Sequence, residues 1–408
     1  MPAALDSYDQ IPGLLRDLRP TGVTVLADPA VAEHTVTEQV RDRIAGAGYA
    51  PELVSTPAVG TLPAIEAFAA GLADGELVVG IGGGSTLDFA KLATAISRSP
   101  ETVRYLTAGQ RSGLVVLPAA LGEYANILAV PTTLGTGTEA GPVACFPYES
   151  ASYDSVKRIA MGEVLRPRVA LRVADATETL PGPLVLDGVL EAIFRTVIPY
   201  TSDSVDLPQQ DAAVEELAGA LLLAGDEIAR SLAAGKPAPA AERLRVAGLS
   251  AESQLGAINV GRSPYAVKCW ALANEVSTTL GLAKMRAVAA IWPLVWRRAL
   301  AGDTRFGSAA RIHRLWGQLR LHATWLASDP YDGLEQLMLR WQIEHTVRLP
   351  RELLRTVALR SVRSWGAGLP TLAGLSADDI AALLDEATES AAAHAADSHE
   401  LLPAGPSA

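Results

Sequence analysis

Two glycine- and threonine-rich turns, each directly behind a short apolar run, constrain this chain more than any other feature. The first, GIGGGSTLDFAK, runs from Gly80 to Lys91 behind Leu77-Val78-Val79. The second, VPTTLGTGTE, runs from Val130 to Glu139 behind Ile127-Leu128-Ala129-Val130. Short apolar runs bounded by such turns read as buried strands. Successive glycines let backbone N–H groups converge on a phosphate without Cβ obstruction, and the N-terminus of a following helix adds partial positive charge. Ser85 stands where it can cap that helix or donate to a phosphate oxygen, with Asp88 and Lys91 in the first two turns. A lone glycine cluster is as readily an ordinary tight turn. A second cradle behind another strand shifts the balance toward a dinucleotide.

The surrounding pattern supports a parallel sheet. Val23-Thr24-Val25-Leu26-Ala27 reads as a strand, followed by an amphipathic helix over about 33–47. Glu52-Leu53-Val54 reads as a second strand and Leu62 to Leu72 as a helix, with Thr61 as its cap and Pro63 in its first turn. Leu77-Val78-Val79 is the third strand, before a helix from Ser85 to Ile96. This βαβαβ order predicts a doubly wound parallel sheet. The stretch over about 98–125, with Gly109, Gly113, Pro118 and Gly122, reads as a loop or flap. After Leu180-Pro181-Gly182-Pro183 only helical periodicity remains, including a capping box at Ser376-Ala377-Asp378-Asp379 ahead of Ile380 to Ala393. The tail from Ala396 to Ala408 reads as frayed. The chain is thus expected to carry an α/β dinucleotide-binding domain over 1–178 and an all-α domain over 179–408.

Length and charge narrow the function classes. A chain of 408 residues suits two domains. A net charge of −11 without a basic run argues against nucleic acid as the main partner. No uninterrupted apolar stretch approaches the roughly 18 residues of a membrane span. The N-terminal MPAALDSYDQ carries acids where a signal peptide carries bases. Cys145 and Cys269 have no CxxC neighbour, so reduced thiols in the cytoplasm are expected.

With GGGSTLDFAK, PTTLGTGTE, the Leu180-Pro181 hinge and the later LGLAKMRAVAAIWP, the sequence from about 20 to 390 resembles the iron-containing alcohol dehydrogenase family. That family shares its architecture with glycerol dehydrogenase and dehydroquinate synthase. The resemblance implies an NAD(P)-binding first domain, a helical second domain, an active site in the cleft between them and a homodimer or larger assembly. It assigns Gly83, Gly84 and Ser85 to the pyrophosphate, with Asp88 alongside in the same motif. It puts Thr132, Thr133, Thr136 and Thr138 on the ribose and nicotinamide side, and Lys157 near the nicotinamide end. Asp28, at the end of the first strand, matches a family aspartate near the adenosine ribose. A carboxylate there accepts from ribose hydroxyls and repels a 2′-phosphate, favouring NAD over NADP. Asp28 before Pro29 is also an ordinary strand-end turn residue.

The metal ligands implied by the resemblance are replaced. The family holds a divalent ion with an aspartate and a histidine four residues apart and two histidines about fourteen apart. The six histidines here are His34, His313, His322, His345, His394 and His399, none in the span where the ligands belong. Aligned, Glu191 falls at the aspartate, Arg195 at the first histidine, and Trp270 and Lys284 at the other two. A guanidinium, an indole and an ammonium cannot replace three imidazoles around a cation, so no catalytic metal is expected. Fixed cations can do part of a metal's work on a developing negative charge. Lys284 is then the candidate for the substrate oxygen, and Arg195 for a substrate carboxylate. Glu191 can orient Arg195 across one helical turn or accept a proton, and Trp270 forms a hydrophobic wall. Arg262, Tyr265 and Lys268 either extend this positive region or are solvated helix positions. A plugged, inactive pocket is the competing reading.

A cationic pocket suits a small-molecule or peptide substrate whose carboxylate lies close to its alcohol. Members without the metal site resemble dehydrogenases associated with daptide-type ribosomal peptides, in which a C-terminal threonine is oxidatively decarboxylated to a ketone. Two alternatives stay open: a catalytically degenerate dinucleotide-binding scaffold and a lyase related to dehydroquinate synthase.

Overall fold

The computed structural model describes residues 3–57, 60–109, 112–150 and 153–400, with backbone alone at 150, 153–155 and 389–400. A six-stranded sheet forms the first half. Its strands are β1 (Ala3–Leu5), β2 (Val23–Ala27), β3 (Glu52–Ser55), β4 (Leu77–Gly82), β6 (Ala125–Pro131) and β9 (Pro167–Leu171). Their order is β1-β9-β6-β4-β2-β3, and every neighbouring pair is parallel. Helices α1 (Ile11–Leu18), α2 (Thr35–Gly46), α3 (Leu62–Gly71), α4 (Gly84–Arg98) and α5 (Thr102–Leu106) connect the strands.

Side-chain alternation sorts the core into two layers. Val23, Val25, Ala27, Leu77, Val79, Ile81, Leu128 and Val130 point to one face and pack with α1 and α2. Leu26, Val78, Ile127 and Ala129 point to the other and pack with α3 and α4. Central strands buried on both faces are what continuous apolar runs predict. The α/β class with a helical remainder is therefore the observed fold.

Three local expectations need correction. Thr61 sits at the N-cap of α3, yet its side chain makes no capping bond, and only its carbonyl receives the Ile65 N–H. The stretch over 98–125 contains α5 and β5 (Leu114–Val116), and β5 pairs in parallel with β8 (Tyr153–Met161). β8 pairs antiparallel with β7 (Val143–Ser150), so a small three-stranded sheet accompanies the large one. This hairpin and β1 escaped the sequence reading. β1 has only three residues, and in the hairpin Pro147 breaks β7 while β8 mixes charged residues among its apolar ones.

From Gly182 onward the described elements are helical: α6 (Gly182–Ser202), α7 (Pro208–Ala233), α8 (Ala240–Gln254), α9 (Lys268–Leu280), α10 (Lys284–Leu300), α11 (Ala309–His322), α12 (Pro330–Arg340), α13 (Arg351–Trp365) and α14 (Ala377–Glu400). The capping box forms as expected: Asp379 Oδ2 accepts the Ser376 N–H at 2.8 Å, and Ser376 Oγ accepts the Asp379 N–H at 3.1 Å. The part of the tail beyond 400 lies outside the described residues. Among the described residues no helix is long and apolar enough to cross a membrane.

The change of secondary structure and the division into compact units fall at different places. One unit comprises Met1–Thr196 with Gln209–Val260, and the other Val197–Pro208 with Gly261–Ala408. Helices α7 and α8 thus belong with the sheet. The second unit centres on Trp292, Trp296 and Trp316, stacked edge to face at 5.2 and 6.1 Å. Within it, Glu275 is 1% exposed and accepts from Trp365 Nε1 at 3.0 Å and Arg360 Nε at 3.4 Å, tying α9 to α13.

Candidate cofactor and active site

The two turns face each other at the carboxyl end of the sheet. Gly83 is the N-cap of α4, and no side chain caps this helix. The first backbone N–H groups of α4 are therefore available to an anion. Gly83 and Gly84 are half-buried and Ser85 is exposed. A Cβ on Gly83 would come within 3.1 Å of Thr133 Cγ2, and one on Gly84 within 3.2 Å of Thr136 Cγ2. Glycine at these two positions is what lets the threonine turn close over the start of α4. Thr133 and Thr136 are half-buried at this junction. Thr132 is buried, and its N–H bonds to the Gly82 carbonyl, pinning the second turn to the first.

Asp28 follows β2 and joins the same end of the sheet. Its Oδ1 accepts the Ala30 N–H at 2.9 Å, and its Oδ2 accepts from Thr86 Oγ1 at 3.3 Å. The carboxylate is thus both a turn former and a neighbour of the α4 N-terminus. Lys157 lies half-buried on β8, with Pro147 of β7 as its backbone partner.

Two residues read as cofactor contacts have other work. Asp88 accepts the Thr138 hydroxyl on Oδ1 at 2.7 Å and the Cys145 N–H on Oδ2 at 2.9 Å. Thr138 Oγ1 in turn accepts from Lys91 Nζ at 2.7 Å. Asp88 and Thr138 therefore shape the turn from inside, their polar groups already engaged with each other. Lys91, left outside the candidate set, is fully buried at the centre of this network.

A glycine crossing fixes α6 against the threonine turn. Gly135 has φ +90°, and a Cβ there would overlap the Gly188 carbonyl of α6. A Cβ on Gly188 would approach both Cβ and O of Leu134 to 2.8 Å. Backbone meets backbone here. Gly137, with φ +56°, lies equally close to the Ser250 carbonyl of α8. The turn is thereby held by α4, α6 and α8 together.

The crossing carries Glu191 and Arg195 on α6. Arg195 Nε and Nη2 both donate to Glu191 Oε1, at 2.9 and 2.8 Å, with the two side chains 15% and 14% exposed. Arg195 contributes positive potential at the buried Glu139 carboxyl, as do Arg172 and Lys91. Burial is the larger effect, raising the Glu139 pKa above the usual carboxylate range. Asp187, 6% exposed and one turn before Glu191, is the aspartate of α6 that the sequence reading passed over. A four-residue step from Asp187 reaches Glu191 rather than Arg195.

In the second unit, Gly281 ends α9 at φ +64°, and the Ser277 hydroxyl bonds to the Leu282 carbonyl at 2.7 Å. This turn starts α10 at Lys284, whose Nζ lies 3.9 Å from the Trp270 ring centroid. Such a cation–π contact contributes about 0.5–2 kcal/mol, depending on desolvation. Arg262 is 7% exposed and its guanidinium lies 5.1 Å from the Tyr200 ring centroid, so it is not a solvated helix position. Burial lowers the Lys268 pKa. Cys269 is fully buried and its thiol pKa is pushed up, which disfavours the nucleophilic thiolate.

The donor set does not suit a divalent ion. Glu191 already serves Arg195, while Trp270 and Lys284 offer no ligand atom to a cation in these states. Among the described residues no three His, Cys, Asp or Glu side chains cluster as a metal would require. His34 Nδ1 instead accepts the Val36 N–H at the start of α2, and His345 Nδ1 lies 2.9 Å from the Ile343 carbonyl. The glycine cradle, by contrast, fits a pyrophosphate.

Residues 4–172 match the iron-containing alcohol dehydrogenase family. Over that stretch the chain carries the domain of this family. It is 27% identical over 205 residues to long-chain-alcohol dehydrogenase 1 of Geobacillus thermodenitrificans, a match covering 48% of each chain. It is 31% identical over 129 residues to the human mitochondrial hydroxyacid-oxoacid transhydrogenase, covering 31% of this chain and 26% of the relative. The chain thus spans about half the length, or less, of the relatives it matches in sequence. In structure it is similar to an NADH-dependent butanol dehydrogenase of Thermotoga maritima, with a TM-score of 0.77 and 17% identity over 95% of this chain and 96% of that one. That likeness extends the common fold over nearly the whole chain.

Proposed function

We propose that this protein is an NAD(P)-dependent oxidoreductase of the alcohol dehydrogenase type, acting on a hydroxy acid with fixed cations in place of a coordinated ion. The observation that carries the reading is the uncapped start of α4 facing Thr133 and Thr136 across Gly83 and Gly84. A bound nicotinamide supplies the hydride acceptor or donor. The N–H groups of Gly83, Gly84 and Ser85 hold the pyrophosphate, Thr132, Thr133 and Thr136 line the passage beyond it, and Lys157 serves the nicotinamide end. Asp28 takes the ribose hydroxyls and disfavours a 2′-phosphate, which selects NAD.

The protein's own groups then manage charge. The Lys284 ammonium, oriented by Trp270, stabilises negative charge on the substrate oxygen as the carbinol is oxidised. Arg195 grips the substrate carboxylate through its fork. Glu191 holds that fork in place and serves as the proton acceptor. With the hydroxyl β to the carboxylate, oxidation gives a β-keto acid, which releases CO₂ and leaves a ketone. A peptide C-terminal threonine has this arrangement. The hydroxyacid named for the human relative supports the same substrate class.

The test is NADH formation from NAD and a set of alcohols, β-hydroxy acids and threonine-ended peptides, with CO₂ measured in parallel and with or without a chelator. Turnover of the acids that survives chelation supports the reading, and activity abolished by chelation refutes the cation assignment. A second reading has its own support, because Arg195 and Lys284 are each engaged within their own unit. Tight NADH binding without turnover of any alcohol or aldehyde would favour that scaffold role.

A further inference from the structure

A fully buried lysine needs a reason. Lys91 Nζ donates to Thr138 Oγ1 at 2.7 Å, to the Val143 carbonyl at 2.9 Å and to the Gly141 carbonyl at 3.0 Å. These three acceptors all lie at the exit of the threonine turn and the start of β7. An ammonium has three N–H donors, and each finds one acceptor. The Thr138 hydroxyl has a single proton, which goes to Asp88 Oδ1, while Asp88 Oδ2 takes the Cys145 N–H. Donor and acceptor counts match only when Lys91 is charged. A neutral amine has two N–H groups and a lone pair, so either one carbonyl loses its donor or Thr138 must turn away from Asp88.

We propose that the Lys91 ammonium is a positioning residue for the dinucleotide, holding the threonine turn in its binding shape, so that cofactor affinity depends on the charge of a side chain that touches no cofactor atom. This rests on the cofactor reading above. The path is short: Lys91 fixes Thr138, and Thr136, two residues earlier, packs against Gly84 at the phosphate cradle. Several charges face the ammonium. Asp88 on α4, Glu139 in the turn and Cys145 on β7 favour it, and Arg195 on α6 opposes it. Burial outweighs them and brings its pKa down to about 8. The turn therefore loosens as pH rises through that value, while most solvent-facing lysines stay charged.

The experiment is NADH binding, followed by nicotinamide fluorescence from pH 6.5 to 9.5, for wild type, Lys91→Met and Asp88→Asn, with unfolding curves at each pH. Wild type should lose affinity above about pH 8. Lys91→Met should bind about tenfold more weakly at pH 7, the loss expected for a charged hydrogen bond, and its affinity should not vary with pH. Asp88→Asn removes an attractive charge along with one of the two acceptor oxygens, and should move the wild-type fall to lower pH. If Lys91→Met does not fold, the wild-type and Asp88→Asn profiles decide alone. A wild-type affinity independent of pH, or a fall that Asp88→Asn leaves unmoved, overturns the proposal and leaves the cofactor reading standing. Failure of the wild type to bind NADH or NADPH at any pH overturns both.

Discussion

Replacing either glycine at the α6 crossing should damage cofactor binding more than its effect on helix or turn propensity explains. Gly188 is helical, so Gly188→Ala by itself favours the helix by about 1 kcal/mol. Its Cβ would lie 2.8 Å from Leu134, where ordinary contact begins at 3.4 Å, so the turn must retreat by at least 3.4 − 2.8 = 0.6 Å. Overpacking of this kind costs about 1–3 kcal/mol. The net change for Gly188→Ala is a loss of about 0–2 kcal/mol. Gly135→Ala carries the same type of overlap and adds about 1–2 kcal/mol for a left-handed backbone at φ +90°. It should lose about 2–5 kcal/mol. Denaturant unfolding gives both values, and NADH titration of the folded variants gives the binding effect. Because both substitutions widen one crossing, the double variant should cost less than the sum. Wild-type NADH affinity in both single variants, or strictly additive losses, would refute the crossing as the device that seats the threonine turn.

The remaining expectations concern charge. The fall of the Lys91 pKa from 10.5 to about 8 means that the unfolded chain binds more protons between those values, so stability rises with pH in that window, by about 3 kcal/mol in full. Unfolding curves at pH 8, 9 and 10 should show wild type gaining on Lys91→Met; parallel curves would contradict this. Lys284→Met should lower kcat by about 100-fold or more while leaving NADH affinity unchanged, as read by steady-state kinetics against the acid substrates. Arg195→Lys should raise KM for a carboxylate substrate and spare a neutral alcohol, since the fork is lost and the charge kept. Glu275→Ala strips a buried acceptor from Trp365 and Arg360 and should destabilise the protein by about 3 kcal/mol; near-wild-type stability would remove Glu275 from the packing of α9 on α13.

Much of the first unit was legible in the residue order. Apolar runs at 77–79 and 127–130 announce central strands because such strands are buried on both faces. The β7–β8 hairpin was not legible, since a sheet exposed along part of its length leaves only alternation, and Pro147 interrupts that. Among site residues, Gly83, Gly84, Thr133 and Thr136 could be found from local motif alone. The hydrogen bond between Asp88 and Thr138 was not legible, because it joins residues 50 apart in the chain.

The sequence alone determined the parallel α/β sheet and the glycine cradle at the head of α4, both of which are fixed by residue type and short-range periodicity. Tertiary structure decided which polar side chains remain available at the cradle and which are consumed inside it. Hydrogen-bond satisfaction in a buried network is a global count. Lys91, Thr138, Asp88 and the Gly141 and Val143 carbonyls acquire their roles only when the chain has brought them within 3 Å of one another.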